Sequence, residues 1–294
     1  MTQEPDPDFI LAGPQKCATT WIYQCLKEHP DVLVPKRDSI HYFDMNYEEG
    51  EDWYRSHFSH HDGEPIIGET TPSYIRCPNG PKRIHETVPD AKILFSLRNP
   101  VERAFSHYWH EKEKNKISFQ FEEVITNYDL YQNWVETGQY YRHLQRYRKY
   151  FDDEHIGVFF FDDLVSSETD FITEIYEFIG ADPTFTPSVV GQKVNQAWNR
   201  FDSDLLNRIY RRGFDVILNY GSETVRNTLR PIHKAIQKGQ FPFVGGKSEY
   251  EQGMNPDTRQ QLEKYFISDV SQLARDQNRD LSHWFDYHDE GTHQ

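Results

Sequence analysis

Apolar residues along this chain come in two rhythms. Short, nearly unbroken runs occur at Asp8–Ala12, Val32–Val34, Ile66–Gly68, Lys92–Leu97 (KILFSL) and Ile156–Phe161 (IGVFFF). Runs of that length, bounded by turn residues such as Gly13, predict strands buried on both faces. Between them apolar residues return every three or four positions, the spacing of one helix face. Thr19–Glu28 opens with two threonines, lines up Trp21, Ile22, Cys25 and Leu26, and stops before Pro30. A second helix follows Arg98-Asn99-Pro100 and carries Ala104, Phe105, Tyr108 and Trp109. Glu136–Phe151 and Phe171–Ile179, the latter capped by Gly180, are read as further helices. Asp257–Asn278 is another, with Leu262, Phe266, Val270 and Leu273 at core spacing. Strands alternating with helices predict an α/β fold, a central parallel sheet covered on both faces.

The rhythm changes at Asn195–Gly246. Strand-like runs vanish and basic helical stretches such as LLNRIYRRGF take over. This segment is read as a helical insertion or lid on a single domain spanning residues 1–294. No internal repeat or clean linker divides the chain, and its length suffices to bury a core without staples.

Composition narrows the function. There are 32 Lys and Arg against 47 Asp and Glu, a formal charge of -15. That field repels polyanions, which disfavours nucleic acid as a partner and requires any anionic ligand to find a locally basic pocket. Cys17, Cys25 and Cys77 are odd in number and lack CxxC spacing, so neither a disulfide framework nor a zinc site is indicated. No apolar run approaches the roughly 20 residues of a membrane span. The acidic N-terminal segment lacks the pattern of a signal peptide, so a cytoplasmic protein is expected.

Two segments carry candidate chemistry, each placed between a strand and a helix. The first is Gly13-Pro-Gln-Lys-Cys-Ala-Thr-Thr-Trp21. Free N–H groups at a helix start, with the helix dipole behind them, bind anions. Lys16 adds a charge, and Thr19 and Thr20 add hydroxyls. The order differs from GxxxxGK[ST], so this is not the Walker phosphate loop. An ordinary strand–helix turn remains the alternative. The second segment is Leu97-Arg98-Asn99-Pro100-Val-Glu-Arg-Ala-Phe-Ser106. An arginine at a strand's end and a serine two turns into the next helix can grip a second phosphate. Ligands of open α/β sheets bind at that edge. The competing reading of Arg98 is a surface ion pair.

Together these segments resemble the sulfotransferase superfamily. The first is similar to its 5′-phosphosulfate loop, usually K-S-G-T-T, with Cys17 and Ala18 in the middle here. The second is similar to its 3′-phosphate segment, R-[ND]-P-x-x-R-x-x-S. Gly68-Glu-Thr-Thr-Pro-Ser-Tyr74, Gly138-Gln-Tyr140 with Leu144, and the tail from Asn255 extend the likeness over most of the chain. It is weakest over 195–246, and it resembles most the branch that includes heparan sulfate sulfotransferases, which have a three-layer α/β fold.

The resemblance implies a donor, 3′-phosphoadenosine 5′-phosphosulfate (PAPS), with no metal. It implies that Lys16 contacts the phosphosulfate near its bridging oxygen. Cys17, Ala18, Thr19, Thr20 and Trp21 complete that loop, and Arg98 and Ser106 hold the 3′-phosphate. Lys247, Ser248 and Glu249 fall where relatives carry K-G-R and could close over the nucleotide. Relatives carry a base in E-x-x-F-F and a lysine in E-K-[TS]; these positions are Ser39 and Thr70 here. The base then falls to Asp38, placed slightly ahead, or His41. Glu69 is a third candidate, expected to orient other groups. Tyr42, Phe43, Tyr74, Tyr140 and Tyr141 either wall a cleft or join the core. The implied acceptor is a hydroxyl or amine of a sugar, lipid or small natural product. A catalytically impaired nucleotide-binding protein and a nucleotide kinase are the alternatives.

Overall fold

The computed structural model describes residues 5–113, 117, 119–191 and 253–285. The segment 195–246 and residues Lys247, Ser248 and Glu249 lie outside the described residues. Five strands, β1 (Phe9–Gly13), β2 (Val32–Leu33), β3 (Ile66–Thr70), β4 (Lys92–Leu97) and β5 (Ile156–Phe160), form one parallel sheet in the order β2-β3-β1-β4-β5. Among the described residues ten α-helical segments surround it: α1 (Thr19–Glu28), α2 (Glu51–Ser56), α3 (Gly80–Thr87), α4 (Pro100–Glu113), α5 (Glu123–Thr126), α6 (Tyr128–Leu130), α7 (Tyr140–Tyr147), α8 (Phe161–Ser166), α9 (Glu168–Ile179) and α10 (Pro256–Asp276).

Strand side chains alternate between two faces, and here both faces are apolar. Phe9, Leu11 and Leu94 pack with Trp21, Ile22 and Leu26 of α1 and Phe171, Ile175 and Ile179 of α9. Ile10, Ala12, Ile93 and Phe95 pack with Ile84 of α3, Ala104 and Phe105 of α4, Leu144 of α7, and Leu262, Phe266 and Val270 of α10. The result is three layers with two cores, as the periodicities predict.

The boundaries shift for local reasons. The run read as a strand to Phe161 ends at Phe160, because Phe161 opens α8 with Asp162 and Asp163 in its first turn, where acids suit the helix dipole. Glu136–Phe151 is not one helix. A tight turn at Glu136–Gly138 precedes Gln139, whose φ of -79° and ψ of 70° break the spiral. Gly138 is needed there, since a Cβ would lie 2.7 Å from Cβ of Pro100. The new helix end is capped from outside: the Asp269 carboxylate of α10 accepts from the backbone N–H of Tyr141 (3.0 Å) and of Arg142 (3.1 Å). Helices α2 and α3, short and polar, were not anticipated.

In this strand order the connections from β1 and β4 leave toward opposite ends of the sheet. The crevice beyond their C-terminal ends is the topological switch point, where such sheets place ligands.

Candidate active site

The segment after β1 folds back on itself. Gly13 has φ 119°, and a Cβ there would meet the Pro72 carbonyl at 2.0 Å, so only glycine lets this loop start against the turn after β3. Lys16 (φ 73°) and Ala18 (φ 63°) are left-handed, with Cys17 between them not so. Alternation of that kind turns successive N–H groups inward, an anion-binding concavity. Ala18 is the cap residue of α1 and offers no side-chain hydrogen bond to the helix start. Thr19 is buried, Thr20 is exposed, and Lys16 is half-buried. Trp21 belongs to the core, against Phe171.

The loop is fastened to the next strand. Ser96 of β4, fully buried, donates to the Cys17 carbonyl at 2.6 Å. The Cys17 thiol is also fully buried, and burial pushes its pKa up to about 11 against the fields of Arg103 and Arg98. It is a packed neutral group, not a thiolate.

At the end of β4, Arg98 is half-buried with its guanidinium 4.8 Å from the Phe161 ring centroid. Among the described residues it forms no ion pair, so the surface-pair reading has no partner there. Its carbonyl accepts from the Tyr140 hydroxyl at 2.8 Å, which fixes the strand end. Ser106, two turns into α4, is half-buried, and its hydroxyl makes no hydrogen bond among the described residues. Loop and pair thus occupy the ends of adjacent strands, β1 and β4.

The third strand of this edge, β3, carries a different group. Glu69 is fully buried and accepts three hydroxyl hydrogen bonds, from Tyr54 (2.7 Å), Thr71 (2.7 Å) and Tyr74 (2.6 Å). Burial raises its pKa against those hydrogen bonds. The Thr71 hydroxyl in turn accepts from the backbone N–H of Ile40 at 3.2 Å and of His41 at 3.4 Å. Glu69 therefore anchors the segment that carries the base candidates, with no solvent-facing oxygen of its own. Tyr23 of α1 holds the segment's start, donating to the Pro35 carbonyl at 2.8 Å.

Within the segment the two leading candidates differ sharply. Asp38 is exposed, and its hydrogen bond is to neighbouring Ser39 at 3.3 Å. Asp38 thus does not reach inward from this segment. His41 is left-handed (φ 58°) and turns its Nδ1 toward both oxygens of Asp44, each at 3.3 Å. Ser73, buried beside them, donates to Asp44 at 2.5 Å and lies 3.2 Å from His41 Nδ1. Burial would raise the Asp44 pKa, but hydrogen bonds with His41 and Ser73 outweigh it and hold the carboxyl below the usual aspartate range. A carboxylate facing Nδ1 fixes the imidazole and leaves Nε2 to accept a proton. Asp44 and Ser73 were not singled out from sequence, where they stand 29 residues apart. Thr70, in the position of the relatives' lysine, is buried on β3.

Of the five aromatics read as cleft or core, Tyr42, Phe43, Tyr74 and Tyr140 are core; Tyr141 is half-buried. A cleft of about 280 Å³ lies between the base segment and residues 53–60, lined by Lys36, Arg37, Trp53, His57 and His60 among others, without a carboxylate. No described helix is long and apolar enough to cross a membrane.

Comparison with known proteins agrees with this geometry. A family model described as the sulfotransferase domain matches residues 6–210. Human heparan sulfate glucosamine 3-O-sulfotransferase 6 is 32% identical over 179 residues, 59% of this chain and 52% of that protein. The membrane-associated sulfotransferase kil1 of Dictyostelium discoideum is 29% identical over 180 residues, 58% of this chain and 38% of that protein. The chain thus spans about half the length, or less, of these curated relatives. A sulfotransferase from Alicyclobacillus acidocaldarius shares the fold, with TM-score 0.69 and 23% identity over 95% of this chain and 99% of that one.

Proposed function

The chain belongs to the sulfotransferase domain family, and on that premise we propose that it transfers a sulfuryl group from PAPS to a hydroxyl or amine of an acceptor, releasing 3′,5′-bisphosphoadenosine. One observation carries this reading. An inward-turned loop without a side-chain cap stands at the end of β1, beside an arginine with no carboxylate partner and a serine hydroxyl with no hydrogen bond, among the described residues, at the end of β4. Two anion grips on adjacent strands suit a nucleotide with phosphates at both ends of its ribose.

In this reading the loop N–H groups and Thr19 and Thr20 hold the 5′-phosphate, and Arg98 and Ser106 hold the 3′-phosphate. Negative charge grows on the bridging oxygen as sulfur leaves, and Lys16 stabilises it most when it is fully formed. His41, oriented by Asp44, takes the acceptor proton as the acceptor oxygen or nitrogen attacks sulfur in line with the departing phosphate. Glu69 and Thr71 set the position of His41 and touch neither substrate. The alternative, a protein that binds the product nucleotide without turnover, is motivated by Ser39 and Thr70. The His41–Asp44–Ser73 arrangement speaks for a working base instead. Relatives named for heparan sulfate glucosamine 3-O-sulfation and N-sulfation make a sugar hydroxyl or amine the first acceptor to try, ahead of a lipid or small natural product.

Calorimetry tests the donor half. Charge-assisted hydrogen bonds are worth about 1.5–3 kcal/mol each. Arg98→Ala and Ser106→Ala should therefore weaken 3′,5′-bisphosphoadenosine strongly and 5′-adenosine monophosphate little. Equal losses for the two ligands would remove these residues from the 3′-phosphate. Transfer of label from PAPS to any sugar acceptor then separates the enzyme from the silent binder.

A further inference from the structure

Arg103 lies in α4 one turn before Ser106, and none of its surface reaches solvent. A guanidinium has five N–H donors and keeps its charge in proteins. Nη2 donates to the Trp134 carbonyl. Nε and Nη1 are buried and make no hydrogen bond among the described residues. No carboxylate pairs with it among the described residues; its neighbours are the neutral Tyr140 hydroxyl, within hydrogen-bonding reach, the neutral Cys17 thiol and another cation, Arg76. Buried charges are ordinarily paired, because an unpaired one forfeits its hydration for nothing.

Its surroundings say where the missing charge belongs. Of the charged groups acting on the Cys17 thiol in the anion loop, Arg103 acts most strongly, followed by Arg98. His107, the next residue after Ser106, stacks on Trp134 at 5.2 Å, and burial followed by the fields of Arg103 and Lys16 keeps it neutral. Lys16 lies in that loop, and Arg98 and Arg103 act on it, in a chain of net charge -15.

We propose that Arg103 is a buried half of the donor site, whose counter-charge is the phosphates of the bound nucleotide, so that the empty fold holds a cation that no described carboxylate compensates and the occupied fold compensates it. The proposal rests on the nucleotide reading above. Arg103 acts across the loop as a fixed field and a positioning residue, not by contact. A charge held in a water-free, low-dielectric place acts strongly on a nearby anion and needs no reorganisation when the anion arrives.

The test uses the full chain carrying Arg103→Met, which removes the charge but keeps an unbranched side chain, and Arg103→Lys, which keeps the charge. Two quantities are read: the melting temperature without ligand, and the Kd for 3′,5′-bisphosphoadenosine at fixed salt. Arg103→Met should melt at or above the wild-type temperature, yet bind at least tenfold more weakly. Arg103→Lys should bind within about threefold of wild type, a tenfold change in Kd being about 1.4 kcal/mol. An arginine with a merely structural role would lower melting and leave Kd unmoved. Arg103→Met binding within threefold of wild type overturns the proposal. So does equal weakening by Met and Lys, which would mark lost packing. If Arg103→Met melts lower but binds tenfold more weakly, recovery by lysine upholds the proposal. If Arg103→Met does not fold, Arg103→Gln replaces it under the same criteria, and failure of both to fold overturns the proposal. Wild-type protein that does not bind the nucleotide would instead sink the nucleotide reading, a result distinguishable from wild-type binding with an unaffected variant.

Discussion

Replacing Ser96 with alanine deletes one oxygen from a fully buried position on β4. That oxygen donates at 2.6 Å to the carbonyl of Cys17, which stands between the two left-handed residues of the anion loop. The carbonyl then lacks this donor in a place water does not reach, a loss of about 1–3 kcal/mol. Taking about 2 kcal/mol, the equivalent change in a binding constant is roughly 30-fold. Where this loss appears depends on the empty loop. If the loop keeps its shape without ligand, the whole loss is in folding. Chains of about 150–250 residues lose about 2–4 °C of melting temperature per kcal/mol, so the drop is about 4–8 °C. If the empty loop instead loosens locally, melting barely changes and the nucleotide must re-form it, weakening Kd by the full factor. The two losses should together account for about 2 kcal/mol, within the range for a single buried hydrogen bond. Ile93→Val on the same strand is the control. It removes one buried methylene at about 0.5–1.5 kcal/mol, lowering melting while leaving Kd alone. Differential scanning calorimetry and titration calorimetry with 3′,5′-bisphosphoadenosine give both numbers. Ser96→Ala that matches wild type in melting and in Kd would refute the claim that this bond shapes the loop.

Two further outcomes follow from the site and its scaffold. His41→Asn should lower turnover at least about 100-fold, the lower end of general-base effects, while Asp38→Asn stays within threefold and nucleotide Kd is unchanged in both; the reverse order would return the base to Asp38. His143 is buried, donates through Nε2 to the Glu136 carbonyl at 2.9 Å and accepts at Nδ1 from Arg146 at 2.6 Å, and burial pulls its pKa down to about 3. Below the ordinary histidine value of 6.5 the unfolded chain takes up a proton that the folded one refuses until about pH 3. This contribution to stability is therefore complete above pH 6.5 and lost progressively as pH falls toward 3. Between pH 6.5 and pH 5 it amounts to about 2 kcal/mol at 1.36 kcal/mol per unit. Urea unfolding at the two pH values should show a smaller acid loss for His143→Gln, and an equal loss would refute the assignment.

Much of this molecule was legible because its signals are local. Five apolar runs gave five strands, and Trp21, Ile22, Cys25 and Leu26 announced the buried face of α1 before any coordinate. The places of the Gly13–Trp21 loop and Arg98 at strand ends, and of Ser106 two turns into the next helix, were legible for the same reason. What was missed depends on chain segments meeting from afar. Ser96 reads as a polar interruption of a strand until the loop it holds comes into view. Arg103 was legible as the second arginine of the R-[ND]-P-x-x-R-x-x-S segment, but its burial was not, because burial is a property of what packs on α4 and not of α4 itself. Asp44 and Ser73 become partners of His41 only once the turn after β3 folds against the segment after β2. The split of Glu136–Phe151 was likewise invisible, since it follows from Pro100 and Phe266 crowding Gly138.

The sheet order also divides labour among neighbouring strands. Groups we assign to the donor hang from β1 and β4, while those we assign to the acceptor hang from β3 through Glu69 and Thr71. On that assignment, a substitution in the segment after β2 changes what is modified without loosening the hold on what modifies it. In the proposed reading the architecture is modular along its own width: new acceptor preferences can arise at the β3 side while the nucleotide grip, one strand spacing wide, is inherited intact.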